Sequence, residues 1–163
     1  MADSDFYLQI DGVEGEADAT GFEKQMQIQS WSFGATNAGS ASLGTGLGSG
    51  KASMQDFHFV VENGKASPQL FLQTCKGTHI PKAVLTCRKT GGDGNPYAYY
   101  KVTFENLALS SFQTGASATL PMEQTSFNFT KITLEFYQQK PDGTVSLTNT
   151  VTYDTKKVEA GGA

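Results

Sequence analysis

The sequence has few charged residues and no long apolar run. Lys, Arg, Asp and Glu make up 17 % of its 163 residues, below the roughly 25 % of typical soluble domains. The 12 basic and 16 acidic residues give a formal net charge of −4, which argues against nucleic acid or an anionic membrane as the partner. No stretch of about 18 apolar residues occurs, so we expect no membrane insertion. A polar surface with little charge suits contacts with other proteins.

Secretory and oxidising features are also missing. Residues 1–5 (MADSD) provide neither the basic start nor the apolar centre of a signal peptide. We therefore expect synthesis in the cytoplasm without a cleaved signal. The two cysteines, Cys75 and Cys87, are then predicted to be buried free thiols rather than a disulfide.

No motif for catalysis or cofactor binding is present. A phosphate-binding loop ending at Lys51 would need glycine at position 45 and Ser or Thr at 52, where the chain has Thr45 and Ala52. His79 with Cys75 and Cys87 would supply three zinc ligands, but no C-x-x-C pair occurs. A nucleophile–histidine–acid triad needs no contiguous motif, yet no G-x-S-x-G elbow is found. We expect no enzymatic activity, no cofactor and no metal.

Glycine is abundant in one place. Residues 39–50 hold glycines at 39, 44, 46, 48 and 50, between an aromatic box at 31–34 (WSFG) and a strand that follows Lys51. Ordering so many glycines is entropically costly, and hairpin connections are usually only about 2–5 residues long. We interpret residues 35–50 as an extended loop that a partner surface orders.

Hydrophobic alternation predicts a single all-β domain over residues 1–163, mainly antiparallel, with one short flanking α-helix. Several long strands change phase near their middle, as strands do at barrel corners, so we favour a β-barrel over a sandwich. Residues 156–163 are expected to be frayed. The predicted strands cover residues 5–11, 25–34, 52–62, 80–89, 97–112, 122–138 and 144–153.

The strand at 25–34 has two possible explanations. Met26 and Ile28 fall on one face, whereas Trp31 and Phe33 fall on the other. Either a bulge turns the strand, or each end of it buries a different face.

The helix at 67–77 has clear boundary signals: Ser67 as the N-terminal cap, Pro68 in the first turn and Gly77 at the end. Leu70, Phe71 and Cys75 are predicted to lie on its buried side. The structural core is predicted to include Trp31, Phe33, Leu70, Phe71 and Leu85.

An ordered set of short motifs, covering about residues 5–153, resembles the haemolysin-coregulated protein (Hcp) family, the tube subunits of the bacterial type VI secretion system. The chain departs from the family in having Phe33 where many members have a second tryptophan. The motifs are FYLQI at 6–10, VEGE at 13–16, WSFG at 31–34, QD at 55–56, SP at 67–68, HIPKA at 79–83, LTCRKTGG at 85–92, SS at 110–111 and YQQKPDG at 137–143.

This resemblance implies a barrel that assembles into a six-membered ring, with rings stacking into a tube that is exported without a signal peptide. It implies as partners other copies of the chain, effector proteins in the lumen, a spike protein and a sheath. Ser32 would be a lumen residue that contacts effectors. The ring-stacking loop would contain Gly39, Leu43, Gly44, Gly46, Leu47, Gly48, Gly50 and Lys51.

A second hypothesis belongs to a different class of protein. The aromatic residues could line a pocket in a monomeric barrel or sandwich that binds a small ligand. Particle mass separates the two hypotheses: a monomer of 17.4 kDa favours the pocket, and a ring of several subunits favours the tube.

Overall fold

The computed structural model describes residues 4–37, 52–157 and 159–162. These residues form eleven strands and one helix. The strands are β1 (Ser4–Ile10), β2 (Met26–Ile28), β3 (Ser30–Ser32), β4 (Ala35–Asn37), β5 (Ala52–Met54), β6 (Phe57–Glu62), β7 (Ile80–Thr90), β8 (Pro96–Gly115), β9 (Met122–Gln139), β10 (Val145–Asp154) and β11 (Glu159–Gly162), and the helix is α1 (Ser67–Lys76).

The strands form a curved, antiparallel barrel wall, as predicted. The main sheet has the order β11-β10-β9-β8-β7-β1-β2, and β6 pairs with both β9 and β3. Strand β9 changes partner along one edge, because residues 122–127 pair with β6 and residues 131–139 pair with β10. Among the described residues no ladder joins β2 directly to β6, so strand pairing does not close the barrel there; the chain passes from β2 into β3, which pairs with β6.

The passage from β2 to β3 resolves the phase conflict in the strand predicted at 25–34. Met26 and Ile28 are buried, the regular pairing is interrupted at Gln29, and Trp31 then packs against the same core. The Gln29 amide donates to the Val60 carbonyl at 2.8 Å. The irregularity turns the strand, so the first of the two explanations is correct.

Aromatic rings fill the barrel interior. Phe57, Phe104 and Phe127 are fully buried, with ring centroids 4.8–5.0 Å apart in each pair. Leu8 and Leu85 lie opposite each other on β1 and β7 and are also fully buried. The phase changes predicted in the long strands are present: the register of β8 against β9 shifts between Leu109 and Ser111.

Helix α1 differs from the prediction at its start and on its outer side. The Ser67 hydroxyl accepts a hydrogen bond from the Gly64 amide at 3.0 Å, and no side chain caps the helix, so the predicted Ser67 cap is wrong. Gly77 ends the helix with a φ of 61°, as predicted. Phe71 is 55 % exposed and Cys75 is exposed, because only Leu70 points into the core from this part of the helix.

Two predicted segment boundaries are corrected. The tail predicted as frayed over 156–163 includes β11, which pairs with β10. The loop predicted over 35–50 begins with a strand, because β4 pairs with β5; the rest of that prediction falls outside the described residues. Within the described ranges, no helix is long and apolar enough to cross a membrane.

Candidate functional site at the polar face around Ser32

The strands β3, β6, β9 and β8 place a row of small polar side chains on the outside of the wall. Ser32 lies opposite His58, His58 opposite Ser126, and Ser126 opposite Ser111. Residues opposite each other in a ladder share one face of the sheet. We call this surface the polar face; it consists of Ser30, Ser32, His58, Ser111, Gln113 and Gln124. Ser126 is buried beneath it, and the partly buried Val60 lies between Ser30 and Gln124.

The polar face is a surface groove rather than an enclosed pocket. All six of its residues, together with Val60, line an open groove of about 460 Å³. The side chains that alternate with them, such as Phe57 and Phe59, point into the core and are fully buried. The face is therefore held in place by the barrel interior, and it presents hydrogen-bonding groups to whatever lies against it.

A bulge in β8 stiffens one side of this face. The register shift after Leu109 brings the hydroxyls of both Ser110 and Ser111 onto Ser126, with Ser110 Oγ at 2.8 Å from Ser126 Oγ. Ser110 also donates to Asp56 Oδ2 at 2.7 Å. This network fixes the serines by mutual hydrogen bonds, so the polar face is preorganised.

Charge is confined to the ends of the polar face. Asp56 lies just before β6 and Glu62 at its end, and the six residues that define the face include no Lys, Arg, Asp or Glu. Farther along β8 and β9, Lys131 and Glu105 form an ion pair at 3.6 Å. The uncharged face can make many weak hydrogen bonds without imposing a strong field on a partner.

The described groups do not form a catalytic or metal site. None of the described hydrogen bonds joins His58 to the serines or to Asp56, and no cluster of three potential metal ligands occurs in the described ranges. His79 Nε2 lies 3.1 Å from Asn106 Oδ1. Burial raises the pKa of the Cys87 thiol to about 12, so this cysteine is unsuited to nucleophilic chemistry.

The predicted site residues fall in three places. Ser32 is exposed on β3, at one edge of the polar face. Trp31, beside it, packs inward against Phe33 and Phe57, with centroids at 5.9 and 6.3 Å; both Trp31 and Phe33 are partly buried. Leu70 and Leu85 are fully buried, whereas Phe71 is not a core residue. The ring-stacking loop residues from Gly39 to Lys51 lie outside the described residues.

Sequence reasoning did not find the neighbours of Ser32. His58, Gln124 and Ser126 come from strands far apart in the chain, and only the pairing of β3, β6 and β9 brings them together. The sequence does contain one indication, because polar side chains alternate with Phe57 and Phe59 and are therefore expected on the outward face. That pattern does not predict the register between neighbouring strands.

Comparison with known proteins gives one consistent result. The family model described as "Type VI secretion system effector, Hcp" matches residues 7–136. Protein hcp1 of Pseudomonas aeruginosa is 33 % identical over 141 residues, covering 85 % of this chain and 86 % of that protein.

Solved structures are similar over nearly the full length. Hcp1 from Salmonella typhimurium has a TM-score of 0.79 at 28 % identity, covering 99 % of this chain and all of that chain. A structure described only as a type six secretion system protein has a TM-score of 0.89 at 25 % identity, covering 98 % of this chain and all of the other.

Proposed function

This chain belongs to the Hcp family of the type VI secretion system, and from that premise we propose that six copies form a ring whose lumen holds effector proteins. The family is one of secreted tube proteins, and this chain is a tube subunit of that kind. The observation that carries the proposal is the family match across residues 7–136.

The polar face supports the lumen part of the proposal. A lumen that carries different proteins must bind each of them weakly and reversibly. An uncharged surface rich in serine and glutamine offers many weak hydrogen bonds. Ser32 sits in the groove of that face. In a ring, six copies of the face would surround the cargo, and their weak contacts would add up.

The filled interior weighs against the monomeric ligand-binding hypothesis. Phe57, Phe104 and Phe127 occupy the middle of the barrel at 4.8–5.0 Å centroid separations. A small-ligand barrel instead keeps an interior cavity lined by a few placed polar groups. The aromatic residues of this chain thus serve packing, and we propose no catalytic role for the chain.

Ring formation is tested by sedimentation velocity and negative-stain microscopy of the purified chain. We expect ring-shaped particles of about six times the monomer mass of 17.4 kDa. A particle of monomer mass at all concentrations tested would contradict the proposal.

The loop is tested by deletion of residues 40–49. We propose that this segment reaches a neighbouring ring, joining the two-stranded ribbon of β4 and β5 to the next ring of the tube. The deletion should leave rings intact and stop their stacking, seen by microscopy. Unchanged stacking would show that the segment has another role.

The lumen assignment is tested by Ser32→Arg. A long charged side chain should block the groove, so the ring should form normally but retain less of an effector co-expressed from the same secretion system. The matched control is Thr20→Arg, a change of an exposed residue in the loop before β2. Equal effector retention by the two variants would show that Ser32 does not contact the effector.

We propose further that the spike and sheath contact the assembled tube, and that the chain is made in the cytoplasm and exported without a signal peptide.

A further inference from the structure

The barrel wall has a seam between β2 and β6. Among the described residues, β2 pairs with β1, and β6 pairs with β3 and β9, but no ladder joins β2 to β6. At one end of the seam the Gln29 amide donates to the Val60 carbonyl at 2.8 Å. The rest of the seam is an open cleft of about 420 Å³. Contacts other than a strand ladder must therefore hold its two sides together.

The VEGE segment, residues 13–16, is attached to the β2 side of this cleft. The Gly15 amide donates to the Lys24 carbonyl at 2.8 Å, and Val13 is buried in the core. Glycine is required at position 15, because a Cβ there would collide with the Gln25 carbonyl. The backbone of the segment is thus fixed beside the start of β2.

The two glutamates of the VEGE segment reach across the cleft to Lys65, which lies on the β6 side. Glu16 Oε1 accepts a hydrogen bond from the Lys65 amide at 2.8 Å, and Glu14 Oε2 lies 3.0 Å from Lys65 Nζ. The side chains of Glu14 and Lys65 are 56 % and 57 % exposed, and exposed ion pairs contribute little to stability. A carboxylate that accepts from a backbone amide makes a stronger, charge-assisted bond. Glu16 is therefore the main contact across the cleft.

We infer that the VEGE segment is a clasp that holds β2 against β6, and that the wall opens along this seam when the bond between Lys65 and Glu16 breaks. The strands on either side of the seam are joined to their other neighbours by continuous ladders, so the seam is expected to open first. Lys65 also directly precedes Ala66, the cap residue of α1. A carboxylate near a helix N-terminus is favourable, so the clasp also stabilises the start of α1.

Hydrogen exchange at the Gln29 amide measures the opening, because this amide is bonded across the seam but takes no part in the bond between Lys65 and Glu16. Glu16→Ala removes the acceptor and should speed exchange at Gln29 by about tenfold or more. Glu16→Gln keeps a neutral acceptor and should give a smaller increase. Mass spectrometry with fragmentation to single residues measures the rates.

The matched control is Glu23→Gln, which removes an equal charge from the loop before β2. The Glu23 carboxylate accepts from the Gly21 amide within that loop, so this variant should exchange at Gln29 like the unmodified protein. Glu14→Gln should have a smaller effect than Glu16→Ala. Sedimentation verifies that the compared proteins have the same particle mass.

Low concentrations of urea separate opening of the seam from global unfolding. Global unfolding exposes much surface, so exchange that depends on it rises steeply with urea, whereas exchange through a local opening does not. We expect a weak urea dependence at Gln29 and a steep one at the amide of Phe104, which is fully buried in β8.

Each outcome decides the inference independently of the proposed ring, since the seam lies within one chain. An unchanged rate at Gln29 in Glu16→Ala, or an equal increase in Glu23→Gln, would show that the VEGE segment is not a clasp. A urea dependence at Gln29 as steep as that at Phe104 would show that the seam opens only when the whole chain unfolds.

Discussion

At the scale of single residues, burial separates side chains that the sequence cannot distinguish. Phe104 and Phe71 both lie in apolar patterns, yet Phe104 is fully buried and Phe71 is 55 % exposed. The ring centroid of Phe71 lies 5.9 Å from that of Phe112, which is itself only partly buried. The reason is location: Phe104 lies among the packed rings of the barrel interior, whereas the residues that α1 buries are Ser67 and Leu70.

The two phenylalanines give a matched test of this difference. Phe104→Ala should lower the free energy of unfolding by about 3–5 kcal/mol, because it leaves a cavity among packed rings. Phe71→Ala should lower it by about 1 kcal/mol or less. Urea unfolding at equal protein concentrations, followed by fluorescence of Trp31, measures both. Similar losses for the two variants would mean that Phe71 is buried in solution.

The two cysteines should differ in reactivity. Burial raises the pKa of Cys87 to about 12, so at pH values near 8 its thiolate is scarce and shielded, whereas Cys75 is exposed on α1. An aromatic disulfide reagent should titrate one thiol per native chain and two in denaturant. Cys75→Ser should leave none in the native state; a remaining fast thiol would contradict the burial of Cys87.

At the scale of elements, irregularities determine how regular strands fit together. The break at Gln29 lets one segment pair with β1 and then with β6. The bulge in β8 brings Ser110 and Ser111 onto Ser126. In both cases one extra or unpaired residue changes which side chains meet, and the polar face depends on both.

The end of α1 offers a test at this scale. Gly77 adopts a φ of 61° with nothing within 4 Å of an added Cβ, so Gly77→Ala should cost about 1 kcal/mol through backbone strain alone. Gly77→Asn should cost less, because asparagine tolerates this conformation. The control is Gly92→Ala, which has equal space without a positive φ. Equal melting temperatures for the two alanine variants would contradict the strain argument.

At the scale of the whole molecule, the sheet extends past the core it covers. Phe136 and Val151 are 43 % and 42 % exposed, although they lie on the face that carries Ile132 and Leu134 into the core. Exposed apolar surface that continues a core is typical of a protein–protein interface. In a tube subunit, another copy of the chain is the partner that can cover it.

Assembly should therefore depend on this strip. Phe136→Asp should give a folded chain that fails to form rings, because an unpaired charge would be buried at the contact. Gln138→Asp, an exposed position on the same strand, should assemble normally. Sedimentation and circular dichroism measure the two properties; rings formed by Phe136→Asp would place the contact elsewhere.

The sequence by itself determined the all-β class, the helix, most of the strands and the family, because alternation, glycine turns and ordered motifs are local properties of the chain. It did not determine β4, β11 or the break at Gln29. It could not determine that β11 pairs with β10, that Phe71 faces outward, or that His58 joins Ser32 and Ser126 on one face. These depend on which strands become neighbours and in what register. That choice is made by burying the rings of Phe57, Phe104 and Phe127 together, and this contact joins residues up to 70 positions apart in the chain.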